Sequence, residues 1–165
     1  MASIDPLHMV CPCCGCSSGH AFYSSYERNM ISFSEGLRKD YTVSIPRIRC
    51  HCGHTHAIIP DVLIPYGSYS LRFILQVLCD YLTRSCPVDE LCLRYQIVRS
   101  TLYSWIHLFI THHNLLAGIL KSVDSLSLNE IAWISSYEHL SADFFDRFRF
   151  SFMQPHHLTT VSDTA

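Results

Sequence analysis

The sequence predicts an α+β protein: a small β zinc ribbon, a helix-turn-helix three-helix unit, then C-terminal helices. Three observations lead there. Two cysteine knuckles lie about 35 residues apart, at Cys11-Pro12-Cys13-Cys14-Gly15 and Cys50-His51-Cys52-Gly53. The hydrophobic period changes from two to 3.6 just after Pro65-Tyr66-Gly67. A short helix, a tight turn and a helix opening on Ser-Thr then follow between Val88 and Ile110.

The 165 residues suit one domain or two small ones, and 48% hydrophobic against 16% charged residues excludes wholesale disorder. The expected divisions are 9–60 for the ribbon, 61–113 for the helix-turn-helix, 114–153 for a C-terminal helical extension and 154–165 for a flexible tail. No apolar run approaches the roughly 18 residues of a membrane span. Met1–His8 has no basic stretch followed by an apolar one, so the expected compartment is the cytoplasm. There thiols stay reduced, and an odd count of nine cysteines points to metal binding rather than disulfides.

In the first block, Phe22–Glu27, Tyr41–Arg49 and Thr55–Ile59 read as strands, and Pro46 marks the second as an edge strand. In a Cys-Pro-x-Cys-Gly knuckle, proline presets the bend and glycine permits a positive φ after the second ligand. Two such knuckles on separate hairpins can clamp one tetrahedral ion. The expected ligands of one structural Zn2+ are Cys11, Cys14, Cys50 and Cys52, with sulfurs converging within about 4 Å. The second knuckle is irregular, its cysteines being two apart, so His54 or His56 stands as an alternative to Cys50 or Cys52. Cys13 and Cys16 form another x2 pair, without proline and glycine at the matching offsets. Four thiolates leave no position for water, which argues against catalysis. Cys79, Cys86 and Cys92 read as small hydrophobes on or beside helical faces.

In the second block, Leu71, Ile74, Leu75, Leu78 and Leu82 share a helical face with Ser70 as N-cap. Val88, Leu91, Cys92 and Tyr95 make a second face, with Pro87 at the first helical position and Asp89-Glu90 in the first turn. Leu102, Trp105, Ile106, Phe109 and Ile110 make a third, starting at Ser100 or Thr101. That arrangement turns Ser100, Thr101, Tyr103, Ser104 and His107 outward, able to reach base edges or phosphates. Arg94 and Arg99 flank the turn, where they could touch a nucleic-acid backbone. The partner expected is double-stranded DNA, although a plain three-helix bundle would give the same periodicity and the turn lacks glycine.

Net charge is −2, which counts against indiscriminate DNA binding. Residues 1–113 hold nine basic against eight acidic residues and residues 114–165 hold three against six, so any nucleic-acid contact belongs to the first two thirds. Ten of the twelve basic residues are arginine, the side chain better suited to paired contacts with phosphate or guanine. In the last block Ser127 and Glu130 form a capping box, and a further helix is expected from about Ser141. Phe144, Phe145, Phe148, Phe150 and Phe152 cannot all face one helical core, so they offer an interface for a homodimer or another protein, unless they pack internally. His112-His113 and His156-His157 are adjacent pairs that point apart on a helix, a poor basis for an enzyme.

The sequence resembles a bacterial family of small zinc-ribbon and helix-turn-helix proteins of unknown function, associated with transposases. The carrying residues are the first knuckle, the run Arg47–Asp61, Pro65-Tyr66 with Tyr69-Ser70, and Ser100–Trp105, within roughly 9–110. The resemblance implies DNA recognition linked to a mobile element. The large catalytic domain with three metal-binding acids that transposases usually carry has no counterpart here, so the chain resembles their DNA-binding end standing alone.

Overall fold

The computed structural model describes residues 10–60, 62–116, 130–148 and 150–155. Their order is β1 (His20–Ser34), β2 (Leu37–Cys50), β3 (Thr55–Ala57), α1 (Leu71–Leu82), α2 (Val88–Tyr95), α3 (Arg99–Leu116) and α4 (Glu130–Phe148). The strands form one sheet in the order β1-β2-β3, so the class is α+β. The chain divides into two compact units. One comprises the described residues of Met1–Met30 and Tyr41–Pro60, the other those of Ile31–Asp40 and Asp61–Ala165.

The first two strands are longer than the alternation predicts. They meet at Glu35-Gly36, where both residues have positive φ (57° and 77°), the backbone that a two-residue hairpin loop requires. Pro46 does not mark an edge, because β2 is the central strand. Its ladder with β3 runs antiparallel through Arg47↔Ala57, Ile48↔His56 and Arg49↔Thr55. Pro46 lies just outside that ladder, and its carbonyl accepts from Ile58 N at 2.9 Å, one bond where a residue with an N–H could make two.

In the helical unit, Ser70 caps α1 as expected, its hydroxyl accepting from Phe73 N at 3.2 Å. The buried set of α1 is broader than one face and includes Phe73, Val77, Cys79 and Asp80, because α2, α3 and α4 all pack on this helix. Leu82, expected on the buried face, ends the helix and is 51% exposed. The hairpin tip joins this core: the Phe33 ring lies 4.7 Å from Tyr95 and 6.0 Å from Phe73. Pro87 is the N-cap of α2 rather than its first residue.

The C-terminal block departs most from expectation. Helix α4 runs unbroken through Ser141, where a new helix was expected. Ser141 instead back-bonds to the Glu138 carbonyl at 2.7 Å, which a mid-helix serine can do without ending the helix. The capping-box residue Ser127, the pair His156-His157 and the tail from 156 lie outside the described residues. The expected tail nevertheless begins too early: Gln154 is buried, its side chain accepts from Ser151 N, and Met153 N donates to His112 Nδ1 at 3.1 Å. Of the five phenylalanines, Phe144 and Phe152 are buried, Phe148 and Phe150 pack against the core and Phe145 is exposed. Rings of Phe144, Phe150 and Phe152 surround that of His112 at 5.3–6.0 Å. Cys79 and Cys92 are buried in this core, as read. Among the described residues no helix is long and apolar enough to cross a membrane.

Candidate metal centre

Two turns build the centre. In the first, Gly15 N donates to the Cys11 carbonyl and Cys11 N to the Cys16 carbonyl, both at 2.8 Å. In the second, which links β2 to β3, Gly53 N donates to the Cys50 carbonyl and Cys50 N to the His54 carbonyl, both at 2.9 Å. Gly15 and Gly53 have φ of +71° and +88°, a conformation that a β-carbon would strain. The glycine in each knuckle is therefore required by the turn that aims the sulfurs.

The four expected sulfurs converge: those of Cys11, Cys14, Cys50 and Cys52 all lie within 4.8 Å of one another. Cys11 to Cys52 is 3.8 Å and Cys14 to Cys50 is 3.5 Å. Ligands about 2.3 Å from one tetrahedral ion would lie about 3.8 Å apart, so this spacing suits a metal ion held by four cysteines. The one-residue irregularity of the second knuckle is absorbed by the β2–β3 turn. Cys50 ends the strand and Cys52 lies within the loop.

The alternative histidines sit beside this set. His56 Nε2 is 3.2 Å from Cys11 Sγ, and His54 Nδ1 is 3.5 Å from Cys52 Sγ. Cys11, Cys13 and His56 also form a group with ligand atoms within 4.8 Å. Four sulfurs would complete a tetrahedron, and His56 and His54 would then donate N–H to thiolates, in the tautomers that carry the proton there.

The electrostatics of the cluster favour a cation. Desolvation pushes the Cys11 thiol up, but the backbone N–H groups of Cys14 and Cys13, with the Cys14 thiol and His56, outweigh it and bring it down to about 5. At Cys14 the Cys16 backbone N–H pulls downward. Desolvation and the sulfurs of Cys50, Cys11 and Cys52 prevail and drive it up to about 12. One thiol thus ionises readily and its neighbour resists, as expected for negative charges crowded together. A divalent ion at the centre would remove that resistance and hold all four as thiolates.

The residues expected at a DNA surface are in the helical unit. Ser100, Tyr103, Ser104 and His107 are exposed and Thr101 half-buried. Leu102, Trp105 and Phe109 are buried, with Ile106 half-buried. Helix α3 starts at Arg99, one residue before the expected cap, with the Val98 carbonyl accepting from Thr101 N and Leu102 N. Ser100 and Thr101 therefore belong to its first turn. Gln96 closes α2 at φ 52°, ψ 48°, the left-handed conformation that a glycine would usually supply.

Both turn-flanking arginines are already engaged. Arg94 Nη1 donates to Asp80 Oδ2 at 3.1 Å and lies 3.8 Å from Glu90, while Arg99 forks onto Asp89 Oδ1. The nearly buried Asp80 also accepts from Tyr95 Oη at 2.9 Å. Sequence reasoning missed this acid because its partners lie 14 and 15 residues away. The one available signal was a carboxylate next to Cys79 near the end of a mostly apolar helix.

No curated protein and no solved structure matches the chain. Residues 11–105 match the family model described as Domain of unknown function (DUF6431). That match spans the first knuckle, the second knuckle and the opening of α3, over more than half of the chain, and the chain belongs to this family.

Proposed function

We propose that the chain is a sequence-directed DNA-binding accessory or regulatory protein, related to the DNA-binding end of transposases. Its zinc ribbon is held by one structural Zn2+ on Cys11, Cys14, Cys50 and Cys52, and α2 and α3 form its helix-turn-helix. When bound, zinc would supply a closed tetrahedral anchor for the two knuckles.

The observation that carries the reading is the face of α3. A three-residue connection, Gln96–Val98, separates α2 from α3, and the exposed residues of the second helix from Arg99 to His107 carry polar groups, before Ile110 and Leu115 make the later exposed side apolar. Tyr103, Ser104 and His107 have the donors and acceptors to read base edges in a major groove. The Ser100 hydroxyl, exposed in the first turn of the helix, suits a phosphate. Arg94 and Arg99 brace the helices through Asp80 and Asp89, so in this reading they assist DNA binding only by exchanging one anion for another. Mobility shifts with duplexes from the protein's own locus test the proposal. Retardation is expected, with Tyr103→Ala or His107→Ala altering the preference between sites. Failure to retard any duplex at low salt overturns it.

A second reading is favoured by Phe22, Tyr26 and Tyr41, which are 68%, 41% and 43% exposed. Such aromatic surface suits a protein-interaction module, with the helices as scaffold. Light scattering of the purified chain tests its simplest form, a homodimer.

A further inference from the structure

Five basic side chains of the helical unit have an acid beside them, whereas two of the sheet unit have an aromatic ring. In the helical unit, Arg38, Lys39, Arg72, Arg94 and Arg99 each lie within 4.0 Å of a carboxylate oxygen. In the sheet unit, Arg47 and Arg49 pair with no carboxylate among the described residues. They lie instead over one exposed ring, with the guanidinium carbons 5.7 Å and 4.8 Å from the Tyr23 centroid. Arg47 also donates to Thr55 Oγ1 at 2.8 Å, across the β2–β3 ladder. Glu27 is the one carboxylate residue among the described residues of this unit, against three arginines.

The geometry points to the sheet face bearing Tyr23, Arg47 and Arg49 as a contact surface for the phosphate backbone of duplex DNA. Arg47 and Arg49 alternate along β2, so they share a face roughly 6.6–6.8 Å apart. That is close to the separation of successive phosphates on one strand. Contact with the Tyr23 ring restrains both guanidinium groups while leaving their N–H groups unpaired by acid, and those groups match phosphate oxygens. Four thiolates around one divalent ion leave a negative centre. The attraction is therefore local to these two side chains rather than spread over the unit.

The inference extends the DNA-binding reading to a second surface, independent of α3. The test uses the full-length zinc-loaded chain and a fluorescein-labelled duplex, with anisotropy followed across salt concentrations. Replacing both arginines, R47Q with R49Q, should weaken binding to every duplex alike. It should also lower the slope of log affinity against log salt by about 1.8, the value for two phosphates. The double variant R47K with R49K should keep most of the slope, and zinc content equal to wild type in both variants confirms that the knuckles are intact. Wild-type slope and affinity in the glutamine variant, with a Tyr103→Ala/His107→Ala chain still impaired, overturn this inference and leave the α3 reading standing. The opposite pattern overturns the α3 reading and leaves this one. A wild-type chain that binds no duplex overturns both, and preference for single-stranded over duplex DNA overturns the backbone assignment.

Discussion

The two units are held together by different chemistry. Among its described residues, the helical unit has a contiguous core of twenty buried residues from Ile64 to Met153, with Phe73, Tyr95, Leu102 and Phe144 among them. In the sheet unit, the buried apolar side chains among the described residues are Cys11, Ile45, Ile48 and Cys50. Two isoleucines are far too little burial to offset the ordering entropy of two long strands and two knuckles. Half of that small set is cysteine from the cluster that could hold a metal ion. The comparison teaches that the helical unit coheres through an apolar core, whereas the sheet unit has little besides its backbone ladder and that cluster to cohere by.

That contrast can be broken at either end. The largest effect should come from Cys14→Ser, which removes one ligand from a centre whose metal is worth on the order of 10 kcal/mol. Zinc binding should be lost by atomic absorption, while far-UV circular dichroism keeps its helical signal. A chain that loses its helices too would merge the units into one. Next in size is Phe73→Ala, which deletes a ring packed against Phe33, Tyr69, Tyr95 and Trp105. Urea unfolding should show a loss of about 3–5 kcal/mol in the helical transition, with zinc content unchanged.

Smaller changes sharpen the comparison within the helical unit. Asp80→Asn leaves Tyr95 and Arg94 without their shared acceptor charge and should cost about 1–3 kcal/mol by the same assay. Its effect on zinc affinity should be negligible. Gln96→Gly relieves a left-handed residue between α2 and α3 and should add roughly 0.5–1 kcal/mol. A destabilised Gln96→Gly chain would mean that the glutamine side chain contributes more than its backbone costs.

What could be read in the sequence follows the same division of chemistry. The convergence of Cys11, Cys14, Cys50 and Cys52 was legible because a knuckle brings two sulfurs together only when its cysteines and glycine stand at fixed offsets. Ser70, Leu102 and Trp105 were legible because capping and the 3.6 period are local. The hairpin tip was missed although Glu35-Gly36 is a two-residue turn signal. Arg38, Lys39 and Asp40 beside it hide the strand pattern, and nothing local announces that Phe33 joins the helical core. The carboxylate partners of Arg94 and Arg99 were hidden for a related reason. Glu90 lies four residues before Arg94 on α2, but the Asp80 and Asp89 contacts depend on how α1, α2 and α3 pack, which no periodicity encodes. Ser141 misled because serine favours helix starts, yet the apolar positions before and after it, Tyr137 and Phe144, bury on one continuous helix.

Hydrogen exchange on the full chain, with zinc and after its removal by a chelator, tests the central claim most directly. The account predicts that removal abolishes protection in Cys11–Met30 and Tyr41–Ala57, while Leu71–Leu82 and Arg99–Leu116 exchange as before. Protection in the sheet unit that survives a metal-free chain would contradict it, since two buried isoleucines would then have to hold what is assigned here to four cysteines and one ion.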